Sequence, residues 1–306
     1  MVLKYRTRKN FSYNTLYLIT VMIVFILIVI ALVIIIRNSI ILSDRNKQQA
    51  IDYSQLITDK KYNEVIENLD LELKIAPFSL DNLVYHGISN FFKGEMESGY
   101  NEQVAYFRIA LSDLRRAMAL GVSDKNIYYC IGKIYFVFGV DFYNQSITYF
   151  SKSIDSGNNE RADIYYYLGV IHSNTGDYQK SIGFFEKSLS LEYSDIVLYL
   201  LALNYSKMGE PDKAIAVLSG LLESDDKKVA EEANLLSGEL FFNKEEYDKA
   251  LVFFDSVIGL NSDNYLAYYY KGEVAYNMND PVAARSFWRK TLEINPSHIR
   301  ALSRLY

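Results

Sequence analysis

The sequence predicts an all-α protein: about seven helix-turn-helix units stacked end to end, preceded by one helix that spans a membrane. Three observations carry this. From Asn46 onward a pattern of small and aromatic residues returns every 33 to 45 residues. Within that pattern a glycine recurs at one place in five of the units. Ahead of it, residues 16–36 form a run of 21 residues in which Thr20 is the only clearly polar side chain. Self-similarity at such a period marks a stacked helical array, in which one unit cannot bury its apolar face alone.

Residues 1–15 carry Lys4, Arg6, Arg8 and Lys9 and no acid. The apolar run 16–36 would be about 31 Å long as a helix, the thickness of a bilayer's hydrocarbon core. A cleaved secretory signal is the competing reading, but the run is too long and no small-residue cleavage site follows before Arg37. A single-pass anchor in a cell membrane is therefore expected. The basic residues before the run outnumber Arg37, Arg45 and Lys47 after it, which places the N-terminus in the cytoplasm and the repeats outside it. The juxtamembrane linker 37–45 has no proline or glycine, so the anchor helix can run on toward the first unit.

The array is expected over 46–298, with units starting near Asn46, Leu80, Lys125, Ala162, Asp195, Glu231 and Tyr265. The first unit is the weakest: Tyr53 stands in the glycine column and Val65 in the small-residue column, although Tyr62 and Pro77 keep the register. The second has about eleven extra residues between Gly94 and Tyr106, expected as a lengthened surface turn. The clearest unit, 162–191, reads ADIYYYLGVIHSNTGDYQKSIGFFEKSLSL.

The eighth place holds Gly87, Gly132, Gly169, Ala202, Gly238 and Gly272, and the second helix supplies Ala110, Ser146, Ser181, Ala214, Ala250 and Ala284. A helical glycine costs about 1 kcal/mol against alanine, so the column predicts close packing of small residue on small. Four places after the small residue come Phe150, Phe185, Leu218, Phe254 and Trp288, on the same helix face. Pro211 and Pro281 fall in the first turn of a second helix, with Asp280 as an N-cap, while Pro77 and Pro296 lie beyond a helix end. Residues 299–306 read as a short helix covering the open end.

On these columns residues 46–298 resemble the tetratricopeptide repeat family, whose 34-residue unit is a pair of antiparallel helices. The resemblance implies a right-handed superhelical solenoid whose concave wall is lined by the first helix of each pair. Transferred place by place, that wall would present Phe91; Tyr129, Lys133 and Phe136; Tyr166; Tyr199 and Lys207; Glu239 and Phe242; and Tyr269, Glu273 and Tyr276. It implies a protein or peptide partner, gripped by tyrosines that offer contact area at low entropic cost. Places that hold lysine or asparagine in carboxylate-clamping members of the family are Tyr167, Leu200 and Leu236 here, so that clamp is not reproduced.

Composition narrows the function further. Beyond Arg37 there remain 27 basic against 37 acidic residues, a poor match to nucleic acid. The lone Cys130 cannot form an intramolecular disulfide, and no phosphate-binding loop, zinc motif or nucleophile elbow is present. His86, His172 and His298 lie in separate units without ligand spacing. No cofactor or metal is expected. The function expected is a non-enzymatic membrane-tethered scaffold that binds a membrane-associated partner, as in bacterial inner-membrane proteins of this layout. The alternative is an assembly protein that forms homo-oligomers through its outer faces.

Overall fold

The computed structural model describes residues 29–37 and 51–306, which divide into two units, Met1–Lys61 and Tyr62–Tyr306. In the first unit, residues 29–37 are helical (α1) and Tyr53–Thr58 form α2, capped by Asp52, whose carboxylate accepts from the Gln55 N–H at 3.1 Å. Residues 16–28 of the expected anchor, most of the linker and the start at Asn46 lie outside the described residues. Among the described residues no helix is long and apolar enough to cross a membrane.

The second unit is an all-helical solenoid. It opens with α3 (Tyr62–Ile75) and continues as six hairpins: α4 and α5 (Leu80–Met96, Tyr100–Ala119), α6 and α7 (Lys125–Phe138, Tyr143–Ser153), α8 and α9 (Ala162–Asn174, Tyr178–Leu191), α10 and α11 (Asp195–Lys207, Pro211–Leu218), α12 and α13 (Lys227–Asn243, Tyr247–Leu260), and α14 and α15 (Tyr265–Asn277, Pro281–Ile294). The short α16 (Ile299–Leu305) packs on α15. The first helices α4 and α6, α6 and α8, α10 and α12, and α12 and α14 touch, and each second helix also packs on the first helix that follows it.

Local chemistry sets these boundaries. Asp124, Asp177, Ser194, Asp226, Asn264 and Asp280 cap helices by accepting from backbone N–H groups one turn in. Pro211 and Pro281 open α11 and α15, where no N–H is needed. Asp226 accepts from the Lys228 and Val229 N–H groups at 2.9 and 3.3 Å and so starts α12 at Lys227, one turn before the expected Glu231. The hairpin turns place Gly176, Gly209, Glu245 and Asn279 at the same left-handed position, with φ between 62° and 80°. At this site glycine is favoured but not required.

Two expectations are corrected. The extra residues of the second unit do not form a long loop: they lengthen α4 to 17 residues and α5 to 20, leaving only residues 97–99 between them. A helix satisfies those backbone groups internally, which a long turn cannot. The glycine column is also not matched by the small column alone. A Cβ on Gly169 or Gly238 would lie 2.5 Å from the ring of Phe185 or Phe254, and one on Gly272 would lie 2.5 Å from Trp288. The bulky residue four places after the small one sits directly on the glycine, and Phe150, Phe185 and Phe254 are fully buried there. The small column also tethers the backbone, since Ser146 and Ser181 donate their hydroxyls to the carbonyls of Gly132 and Gly169, each at 2.8 Å.

Candidate partner-binding wall

Two pairings of places recur between several successive first helices, and together they build the wall. The first joins the fifth place of one unit to the second place of the next. Tyr129 donates its hydroxyl to Asp163 at 2.7 Å, Tyr199 lies in the field of Glu232, and Tyr269 lies in that of Arg300. The second joins the ninth place to the sixth place of the next unit. Lys133 lies 5.5 Å from the Tyr167 ring, Tyr270 lies in the field of Glu239, and Arg304 grips Glu273 through Nε at 3.0 Å and Nη2 at 2.6 Å. A 3.6-residue turn brings these places to the edges where neighbouring first helices meet.

Charge in the N-terminal half of the wall is satisfied internally. Lys133 is ion-paired with Glu95 and also faces the Phe91 ring at 5.9 Å. Arg161 holds Asp163 through Nε and Nη2 at 3.1 and 2.9 Å and lies 3.7 Å over the Tyr129 ring. Burial pushes the Asp163 carboxyl up, but the hydrogen bonds from Arg161 and Tyr129 outweigh it and hold the group below the usual carboxylate range. Burial, reinforced by the Asp163 charge, raises the Tyr129 hydroxyl far above that of free tyrosine.

The C-terminal half is less neutralised. Burial pushes Tyr199 up to about 12, helped by Glu232 and Glu239, and Tyr270 likewise to about 12, helped by Glu239. Burial raises Glu239 too, offset only in part by the Tyr270 hydroxyl, Lys207 and Arg300. A carboxyl raised on folding binds its proton more tightly in the native state. Stability therefore falls as pH climbs from the ordinary carboxylate range through the raised value. Glu239→Gln will raise the melting temperature at pH 7 and leave it unchanged at pH 4, checked by thermal melts at both.

The twelve residues expected on the wall divide by exposure. Phe91, Tyr129, Tyr269 and Glu273 are corrected from contact residues to structural ones, being 1%, 7%, 7% and 6% exposed. They face the next helix rather than open surface, because adjacent first helices close over them. Lys133, Phe136, Tyr166, Tyr199, Glu239 and Phe242 are half-buried, and Lys207 and Tyr276 are exposed. Phe136 is packed between Tyr143 and Tyr167, with ring centroids 6.3 and 4.8 Å away. Sequence reasoning missed Glu95, Arg161, Asp163, Tyr167, Tyr270 and Arg300. Pairing the fifth place with the second, and the ninth with the sixth, across consecutive units would have found all but Glu95 and Arg161.

Cys130 is buried beneath this wall with its thiol pushed up to about 12, a packed apolar group. His172 stacks on Phe184 at 5.3 Å. Among the described residues no three His, Cys, Asp or Glu side chains converge on a metal-sized site.

Known proteins share this architecture. The tetratricopeptide repeat models match residues 162–195 and 199–265. TPR repeat-containing protein MJ1428 of Methanocaldococcus jannaschii is 21% identical over 255 residues, which cover 77% of this chain; the match spans 42% of the length of that relative. The C-terminal part of a TPR repeat-containing protein from Cytophaga hutchinsonii superposes with a TM-score of 0.64 at 17% identity, over 83% of this chain and 98% of that one. YrrB, described as a TPR protein with an unusual peptide-binding site, gives a TM-score of 0.52 at 21% identity, over 62% of this chain and 96% of its own. At these identities the likeness is one of fold. Residues 162–195 and 199–265 of this chain are tetratricopeptide repeats, set within an all-helical solenoid.

Proposed function

We propose that the chain is a non-enzymatic scaffold, tethered to a membrane by residues 16–36, that holds an extended peptide or a helix of a protein partner along the concave first-helix wall. The observation that carries this reading is the aromatic character of that wall where it stays open: Tyr166, Tyr199 and Phe242 remain half-buried and Tyr276 exposed, beside the exposed Lys207. Rigid amphipathic rings left at a surface favour binding, since two torsions per side chain cost little to immobilise. The length and apolarity of 16–36 support the tether, and the basic N-terminal tail supports a cytoplasmic N-terminus with the repeats outside the cytoplasm.

The test is crosslinking in intact cells with the wild-type chain and a Tyr166→Ala/Tyr199→Ala/Lys207→Ala variant, together with protease access from either side of the membrane. The variant is expected to lose its crosslinked partners by at least tenfold while keeping its helical circular dichroism. Partners retained by the variant would sink the wall as the binding surface. Extraction of the chain by salt wash alone would sink the anchor.

A further inference from the structure

Two cavities of matching build occur three hairpins apart, and their charges are opposite. One, of about 320 Å³, lies where the start of α8, the end of α9 and the start of α10 meet; the other, of about 370 Å³, lies at the same junction of α14, α15 and α16. Tyr166 in the first corresponds to Tyr269 in the second, both at the fifth place of their units. Glu192 corresponds to Asn295, each the residue that ends a second helix. Ile196 corresponds to Arg300, each the second residue of the next first helix.

The chemistry diverges at these equivalent places. The α8 cavity carries Asp163 and Glu192; Asp163 is already held by Arg161 and Tyr129, whereas Glu192 is exposed and makes no ion pair or hydrogen bond through its side chain among the described residues. Tyr166 and Ile196 supply apolar walls beside it. That combination suits the stem and head of a lysine or arginine side chain. The α14 cavity has no acid in its lining, and its cation is Arg300, exposed and without an ion pair among the described residues, with the Glu239 carboxylate in its field. His298 accepts the Ala301 N–H at 3.2 Å on Nδ1, and burial followed by the Arg300 charge lowers its proton affinity. Arg300 therefore sets the sign of this cavity.

Resting on the proposed wall, we infer that the bound segment is a charge-ordered peptide. A lysine or arginine seats in the α8 cavity against Glu192, and an aspartate or glutamate seats at the α14 cavity against Arg300. Three steps between neighbouring first helices, each about 8–10 Å, set the cavities about 24–30 Å apart. Extended chain at about 3.3 Å per residue crosses that distance in about seven to nine residues. Opposite charges at that separation fix where along the wall a partner docks and which way it runs, a gain in specificity more than in affinity.

The test is display selection of random 16-residue peptides on the purified full chain, with anisotropy measurements on the synthesised winners. Peptides that require Tyr199, lost on Tyr199→Ala, are expected to carry a basic and an acidic residue about seven to nine positions apart. Neutralising either should weaken binding about three- to fivefold, as for exposed ion pairs. Glu192→Lys should shift selection to two acidic residues and Arg300→Glu to two basic ones. Winners that need Tyr199 but show no charge pairing, or whose pairing ignores both reversals, overturn the inference and leave the wall standing. Winners indifferent to Tyr199→Ala, or no winners at all, overturn the wall and the inference with it.

Discussion

Phe254→Ala will destabilise the array by about 3–5 kcal/mol, the range for an aromatic side chain removed from a close-packed core. Phe254 is fully buried, stacks on Tyr270 at a centroid distance of 5.4 Å, and lies on Gly238 at the seam between α12 and α13. Gly238→Ala attacks the same seam from the other side. Its Cβ would meet the Phe254 ring at 2.5 and 2.8 Å, and that ring is fully buried in a packed cluster. The overpacking cost of about 1–3 kcal/mol exceeds the gain of about 1 kcal/mol from replacing a helical glycine by alanine. The double variant is then expected to be more stable than the sum of the two losses by at least about 1 kcal/mol, because the new methyl enters space that the ring has left. Urea unfolding of the four proteins measures this coupling. Strict additivity would show that ring and glycine do not form one contact.

Arg304→Ala will lower stability by about 2–3 kcal/mol and release α16. Glu273 is only 6% exposed, and its two carboxylate oxygens are held by Arg304 at 3.0 and 2.6 Å. Removing the guanidinium strands a buried carboxylate, which costs about 3–5 kcal/mol for a fully buried pair. The figure is smaller here because the Arg304 side chain is 41% exposed, which leaves water access to the charge. Amide exchange across Ile299–Leu305 should accelerate, since the ion pair ties α16 to α14 and the other anchors are few, Ala301 being the sole fully buried side chain of that helix. Glu273→Leu/Arg304→Leu, which removes both charges, should recover most of the loss. An Arg304→Ala protein with wild-type exchange in α16 would assign the hold on this helix to packing alone.

Both effects concern seams, and the seams show how far periodicity reaches. A glycine recurring at one place in five units announces that something approaches closely there, as at Gly132, Gly169, Gly238 and Gly272. Spacing along one helix cannot say which residue of the other helix arrives there. The choice between Ser181 and Phe185 at Gly169 depends on how far the two helices slide along each other. In the folded protein the serine reaches the glycine carbonyl while the phenylalanine ring covers the missing side chain. The second hairpin makes the same point, since its eleven extra residues read as a turn but satisfy their backbone groups by extending α4 and α5.

Hairpin succession, helix polarity, proline-marked starts and the bulky column are properties of a single chain segment, legible because each depends on neighbours within a few residues. Exposure of the wall is a property of two segments at once. Tyr129 and Tyr166 occupy the same place in adjacent units, yet one is buried under Arg161 and bonded to Asp163 while the other lines an open cavity. Glu239 and Glu273 likewise share a place, but one lies in the field of Tyr270 and the other is held by a guanidinium. In each pair the residue contributed by the next helix decides the outcome, and only packing of unit against unit brings that residue into reach.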